Sequence, residues 1–309
     1  MGMYPGGRRY YAFSAYLRAR FGCRVYRVPV DAGFTCPNRD GRLGKEGCVY
    51  CDARGSGAQY LDRASSVGEQ VQNGATFARR RYGAEKFLVY FQAFTNTYAP
   101  VTRLRRLYDE ATAQEHVVGL VIGTRPDCVP DPVLDLAGGY TRDLAVWIEY
   151  GLQSARDETL RRIGRGHDVR TFVDAVERTR RRDIRICTHV ILGLPGECWD
   201  DMMGTARLLA ELATDGVKIH PLHILRGTRA EELYRDGELP LLALDEYVGL
   251  VCDFLERLPT HTVVQRLTGE GPKGSLIAPQ WCSDKPGVLR AIDAELMRRG
   301  TEQGMRSGG

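Results

Sequence analysis

The sequence predicts an α/β fold, a partial (βα)6 TIM-like barrel followed by a C-terminal α+β accessory lobe. Three observations carry this prediction. Strand-sized apolar runs alternate with helix-sized segments, no glycine-rich phosphate loop follows the first run, and the loop found there is long and rich in cysteine. Strict alternation requires a parallel sheet with right-handed crossovers. The missing glycine loop turns the choice from an open nucleotide-binding sheet to a barrel.

The elements follow in chain order. Residues 1–19 form an N-terminal extension carrying Arg8, Arg9 and early glycine and proline breaks, without the apolar stretch of a secretory signal. Six β-rich runs, at 25–30, 87–91, 117–122, 144–149, 184–192 and 217–225, have the length of buried strands. Between them, apolar residues recur at helical spacing in 66–82, 101–115, 132–140, 169–182 and 200–214. The barrel is therefore assigned to residues 20–225. After it the alternation weakens into helical segments at 243–258 and 285–299, one strand near 261–267 and a Gly/Pro-rich loop at 269–279. These make up the accessory lobe, 226–300, and the tail from 301 reads as frayed.

With 309 residues, 43% hydrophobic and 27% charged, the composition is that of a globular chain and excludes a disordered one. No apolar run approaches the ~18 residues of a membrane span, so a cytoplasmic protein is expected. The net charge of +4 is too mild to indicate nucleic acid by itself. Only five of the 43 basic residues are lysine, so the runs Arg79-Arg80-Arg81 and Arg178 to Arg182 read as solvated helix faces. Nine cysteines, an odd number without a signal peptide, point to metal binding or thiol chemistry rather than disulfides.

Three of them share the loop after the first strand, Cys36-Pro-Asn-Arg-Asp-Gly-Arg-Leu-Gly-Lys-Glu-Gly-Cys48-Val-Tyr-Cys51. A loop beyond a strand C-terminus is where barrels build active sites, and thiolates select zinc, copper(I) or iron–sulfur clusters. Three cysteines can hold three irons of a 4Fe-4S cluster and leave the fourth open. The alternative is a structural zinc closed by Cys23, which would make the chain a zinc-stapled barrel binding RNA or protein without radical chemistry.

The Cys36, Cys48 and Cys51 loop resembles the cluster motif of radical S-adenosylmethionine enzymes, in the wide-spaced form of the YhcC-like branch. Further stretches are similar to that branch's strand-end motifs: Phe91-Gln-Ala-Phe-Thr-Asn-Thr-Tyr98, Gly123-Thr-Arg-Pro-Asp127, Glu149-Tyr-Gly-Leu-Gln-Ser154, Arg165-Gly-His-Asp168 and Ile191-Leu-Gly-Leu-Pro-Gly-Glu197. Lys218-Ile-His-Pro-Leu-His223 and Trp281-Cys-Ser-Asp-Lys285 carry the likeness into the lobe, so it spans about residues 10–304. The radical domain is also similar to that of the Elongator catalytic subunit.

The resemblance implies an enzyme that uses a 4Fe-4S cluster to cleave S-adenosylmethionine reductively, generating a 5′-deoxyadenosyl radical. Its substrate, a small molecule or RNA, is left open. An electron donor such as flavodoxin or ferredoxin is implied as partner, and no membrane. Where the family's motif for the methionine amino group is glycine-rich, this chain has Gln92-Ala-Phe-Thr-Asn96, and Asn96 either accepts from the ammonium or fixes a turn. On the fourth strand Glu149, Gly151 and Gln153 share the parity that faces the mouth, where ribose hydroxyls would satisfy the polar pair; a structural pairing of Glu149 with a core arginine is the other reading. Gln153 resembles a cofactor-contacting glutamine and Arg165 the arginine that grips the methionine carboxylate through its fork. His189 resembles a ribose contact or is a satisfied core histidine, and Gly193 opens a turn against which adenine can lie. His220 and His223 differ in parity, and the resemblance favours His220 in function. In the lobe, Cys282 is the candidate hydrogen-atom donor and Lys285 a substrate-facing residue beneath the loop from Gly271 to Pro279.

Overall fold

Burial on both faces is the signature of this architecture. Every residue of β4 (Ala145–Gln153) except the last is buried, the condition of a parallel strand covered by helices outside and by packed side chains inside. The computed structural model describes residues 4–55, 65–269, 271 and 274–307. Ahead of β4 in the sheet come β1 (Val25–Val30), β2 (Lys86–Phe91) and β3 (Val117–Thr124). β5 (Arg185–Leu192) and β6 (Gly216–Pro221) follow, then a short β7 (Ile224–Leu225) and β8 (Val263–Arg266). The order β1-β2-β3-β4-β5-β6-β8 is parallel throughout and forms a seven-stranded partial barrel. β7 pairs antiparallel with β9 (Leu276–Ala278) to one side.

Helices α1 (Phe13–Phe21), α2 (Val67–Tyr82), α3 (Val101–Thr112), α4 (Asp131–Gly139), α5 (Asp157–Arg162), α6 (Val169–Arg180) and α7 (Trp199–Glu211) complete the barrel segment. Their ends are written in the sequence. Ser66 and Glu69 close a reciprocal capping box on α2, which stops at Gly83 with φ 62°, and the Asp168 carboxylate caps α6 by accepting from Thr171 N–H. Later come α8 (Arg229–Arg235), α9 (Leu244–Arg257) and α10 (Lys285–Arg299). No helix among the described residues is long and apolar enough to cross a membrane.

The strand near 261–267, assigned above to the lobe, is the seventh strand of the barrel. α9 serves as its crossover helix and packs against α7 and α10, and the buried Tyr247 hydroxyl donates to the Leu267 carbonyl at 2.9 Å. The βα rhythm thus continues past 225, interrupted by the β7 and α8 insertion that hides it in the sequence. The tail is also not frayed over its described part: Gln303 is fully buried, and its Nε2 donates to the carbonyls of Pro259 and Thr262 at 2.6 and 2.8 Å.

Inward-facing side chains are layered. The floor is apolar, a cluster of Tyr16, Leu17, Leu88, Val121, Trp147, Cys187 and Val263. Trp147 presents its face or edge to Phe13 and Tyr16 at 6.1 and 5.6 Å, near perpendicular in both pairs. The N-terminal extension therefore plugs the floor, and Val264 N–H donates to the Tyr11 carbonyl at 2.8 Å. Above the floor the interior turns polar.

Candidate functional site

The strand C-termini open on a cleft of about 250 Å³. One wall is the 36–51 loop, built from short turns in which the Arg39 and Asp40 N–H groups donate to the Cys36 carbonyl at 2.8 and 3.1 Å and Cys51 N–H to the Cys48 carbonyl at 2.9 Å. At Gly47, with φ 81°, a Cβ would lie 2.9 Å from Arg39 Nε. Glycine there leaves Arg39 room to donate to the carbonyls of Cys51 and Asp52 at 2.8 and 2.6 Å. Asn38 Nδ2 ties the loop to the α5–α6 connection by donating to the carbonyls of Gly164 and Arg165 at 2.8 and 3.1 Å.

Cys36, Cys48 and Cys51 all line the cleft. Donors face their sulfurs: Asn38 Nδ2 is 3.4 Å and Arg165 Nη1 3.6 Å from Cys48 Sγ, and Arg125 Nη1 is 4.0 Å from Cys36 Sγ. Burial pushes the Cys48 thiol up, but the Arg165 charge and hydrogen bond, with Arg125 and Asn38, outweigh it and bring the thiol below its ordinary value. Burial and then the adjacent Cys48 push Cys51 up to about 11. Ionisation of Cys48 thus opposes ionisation of its neighbour.

The donor spacing bears on which metal fits. Among the described residues, the group of three ligand-type side chains whose donor atoms lie within 4.8 Å of one another is Glu149, Cys187 and His189. At least one pair of loop sulfurs is therefore further apart, whereas a single tetrahedral zinc with 2.3 Å bonds needs sulfurs about 3.8 Å apart. Cys23 cannot close a zinc set. It precedes β1 while Cys36 follows it, and six strand residues put roughly 20 Å between them.

Across the cleft, β4 supplies Glu149, Gly151 and Gln153, all lining it. Arg165 Nε and Nη2 both donate to the Gly151 carbonyl, at 2.9 and 2.7 Å, and a Cβ on Gly151 would sit 2.7 Å from Arg165 Nη2 and from Gln153 Nε2. Glu149 takes the structural pairing. Its Oε2 accepts from Lys218 Nζ and lies 2.9 Å from His189 Nε2, and its Oε1 is 3.2 Å from Arg27 Nη1. Both hydrogen bonds go to Oε2, and the buried Oε1 accepts none, so it keeps capacity for a ligand hydroxyl. Burial raises the Glu149 carboxyl, and Lys218, Arg27 and His189 together hold it well below the ordinary range. Burial and then the Lys218 charge lower His189 to about 4, so it sits neutral beside an ionised carboxylate. The same cations occupy Glu149 in the set with Cys187 and His189, in the place a metal would take.

Asn96 also lines the cleft, but its Nδ2 donates to the carbonyls of Ala93 and Gly123 at 3.0 and 2.8 Å, which fixes the turn. In that turn Ala93 and Phe94 have φ 73° and 58°, a backbone that glycine adopts without strain. The segment that departs from the glycine-rich pattern in sequence therefore keeps a glycine-like conformation.

Three expected site residues, Gly193, Cys282 and Lys285, do not line the cleft. Gly193, at φ 81°, turns against the accessory region: a Cβ there would lie 2.8 Å from Leu242 Cδ1, and the residue does not line the cleft. Cys282 is 2% exposed in a short helical turn, its thiol pushed up to about 12 by burial, and neither it nor Lys285, which starts α10, lines the cleft. The anchoring residue beside it is Trp281, whose indole N–H donates to the Leu242 carbonyl at 3.1 Å. Of the loop expected to close over the site, Pro272 and Lys273 lie outside the described residues.

Residues that sequence reasoning passed over are Arg125, Arg27 and Lys218. Arg125 is 2% exposed and held by a two-pronged pair with Asp127, both contacts at 2.9 Å. Lys218 shares strand parity with His220, so alternation alone places it inside. A larger hollow of about 720 Å³ outside the barrel, lined by Tyr98, Pro126 and Arg178 among others, contains none of the loop thiols.

Comparison with known proteins agrees with this geometry. Residues 36–209 match the radical SAM superfamily and residues 214–298 the radical SAM C-terminal domain. The chain is 42% identical over 297 residues to YtqA of Bacillus subtilis, covering 96% of this chain and 92% of that one. It is 37% identical over 294 residues to YhcC of Escherichia coli, covering 94% and 93%. Among solved structures it resembles Methanocaldococcus infernus Elp3 with a TM-score of 0.68 at 17% identity, over 91% of this chain and 64% of that one, a likeness of fold. Matched over more than half its length by the superfamily, and nearly end to end by YtqA and YhcC, the chain belongs to the radical SAM superfamily in its YhcC-like branch.

Proposed function

We propose that this protein is a radical SAM enzyme that holds a 4Fe-4S cluster through Cys36, Cys48 and Cys51 and binds S-adenosylmethionine above the polar layer of the barrel. The observation that carries the proposal is the lining of one cleft by three thiols of one loop, with Arg165, Asn38 and Arg125 aimed at their sulfurs. When bound, the cluster supplies the electron that cleaves S-adenosylmethionine to a 5′-deoxyadenosyl radical.

The chain's own residues position and insulate. Asn38 and Arg165 favour the thiolate of Cys48, and the Arg125–Asp127 pair sets a guanidinium beside Cys36. A guanidinium has five N–H groups. Those of Arg165 not spent on Gly151 and Cys48 are available for the methionine carboxylate. Gln153, strained at φ 78° where β4 ends, is placed to meet the ribose, and the carbonyls of the 92–96 turn to meet the ammonium. His189 lines the same cleft and remains a candidate ribose contact through its ring edge. An electron donor such as flavodoxin or ferredoxin is the proposed partner in the cytoplasm.

Anaerobic reconstitution tests the proposal. The protein should bind about four irons per chain, and with reductant should convert S-adenosylmethionine to 5′-deoxyadenosine. Alanine at Cys36, Cys48 or Cys51 should abolish both, and alanine at Cys23 neither. One zinc per chain and no iron would overturn it.

A further inference from the structure

We propose that the substrate of this enzyme carries an oxyanion, a phosphate or a carboxylate, and that Arg266 with His220 seats it on the β6–β8 wall of the cleft. The inference rests on the radical reading above and adds a substrate class to it. Register places the groups. Lys218 pairs with His189 on one side and with Arg266 on the other, and His220 pairs with Ile191 one step nearer the mouth.

Two of these groups have nothing to bind. Arg266 is half-buried in the cleft, and its side chain has no hydrogen bond or ion pair among the described residues. His220 Nε2 is buried without a hydrogen-bond partner, its ring stacked on His189 at 5.7 Å between centroids. Lone polar atoms in such a place carry a desolvation cost that a ligand removes.

Charge points the same way. The polar layer holds Arg27, Lys218 and Arg266 against one carboxylate, Glu149, and that carboxylate is already engaged by Lys218, His189 and Arg27. The unmatched cation is Arg266, whose fork suits the two oxygens of a carboxylate or phosphate. The methionine carboxylate has its own candidate in Arg165, on the β4 side of the cleft and three places from β8 in the sheet order. The anion at Arg266 is thus assigned to the substrate.

The test uses cluster-loaded protein saturated with S-adenosylmethionine, titrated at constant ionic strength with sodium phosphate or sodium acetate against chloride. Thermal midpoint and calorimetry are the readouts. Wild type should bind and be stabilised by at least one anion, phosphate leading for a phosphorylated substrate and acetate for a carboxylic acid. Arg266→Gln should weaken that binding by about tenfold or more, with Arg266→Lys in between. Affinity for S-adenosylmethionine should stay within about twofold. Absence of anion binding in wild type, or equal binding in Arg266→Gln, would overturn the proposal. So would a parallel tenfold loss of cofactor affinity, which would move Arg266 into the cofactor site. If wild type fails to bind S-adenosylmethionine, the radical reading fails separately, and the anion titration without cofactor still decides the role of Arg266 by the same two outcomes.

Discussion

Arg165 Nη1 stands 3.6 Å from Cys48 Sγ while Nε and Nη2 of the same guanidinium donate to the Gly151 carbonyl. One buried side chain therefore couples the cysteine loop to the end of β4, and the coupling depends on a flat fork rather than on charge alone. Arg165→Lys keeps the charge and loses the fork. Anaerobic calorimetry should show S-adenosylmethionine affinity reduced by about tenfold or more; wild-type affinity in the lysine variant would remove Arg165 from the cofactor site.

The burial of His189 beside Lys218 makes stability depend on pH. Against an ordinary value of 6.5, His189 is lowered to about 4 in the folded chain, by burial first and Lys218 second. Between those values the unfolded chain binds a proton that the folded chain refuses, so stability falls as pH drops from 6.5 toward 4. The contribution is on the order of 2–3 kcal/mol. Urea midpoints should therefore change less over this window in His189→Gln than in wild type, and equal slopes would contradict the assignment.

Trp147 is fully buried at the barrel floor against Phe13 and Tyr16. Trp147→Ala should cost about 3–5 kcal/mol, since the floor cannot collapse into the space left. Chemical denaturation of the metal-free protein measures this without reference to activity, and a loss below about 1 kcal/mol would mean that the N-terminal plug repacks.

Cys282→Ala should leave cluster content, S-adenosylmethionine cleavage and substrate turnover unchanged, and cost roughly 1 kcal/mol through lost packing. Loss of turnover with cleavage intact would restore the thiol to the chemistry and imply a rearrangement of the lobe.

The barrel was readable because parallel strands buried on both faces are short continuous apolar runs, and the cysteine loop because soft ligands after a first strand have few other uses. β8 was misassigned: its four residues, Val263–Arg266, return to the sheet only after the β7 and α8 insertion, and periodicity carries no information about which sheet a strand joins. Strand parity did place Glu149, Gly151 and Gln153 at the mouth. What parity cannot supply is the identity of the partner across the barrel, so the pairing of Glu149 with Lys218 and Arg27, from β6 and β1, was visible only in three dimensions. Cys282 misled because a motif position says nothing about whether a thiol points to a cleft or into packing.

The floor of the barrel is closed by segments 292 residues apart in sequence. Tyr11 accepts from Val264 N–H through its carbonyl and donates its own N–H to Gln303 Oε1 at 2.9 Å, and Gln303 N–H donates back to the Arg9 carbonyl at 2.9 Å. A nascent chain emerging from the ribosome thus has its cysteine loop translated early and its stopper unlatched until residue 303 has been made. Sealing the barrel from below is therefore a contact of large sequence separation, the slow kind in folding.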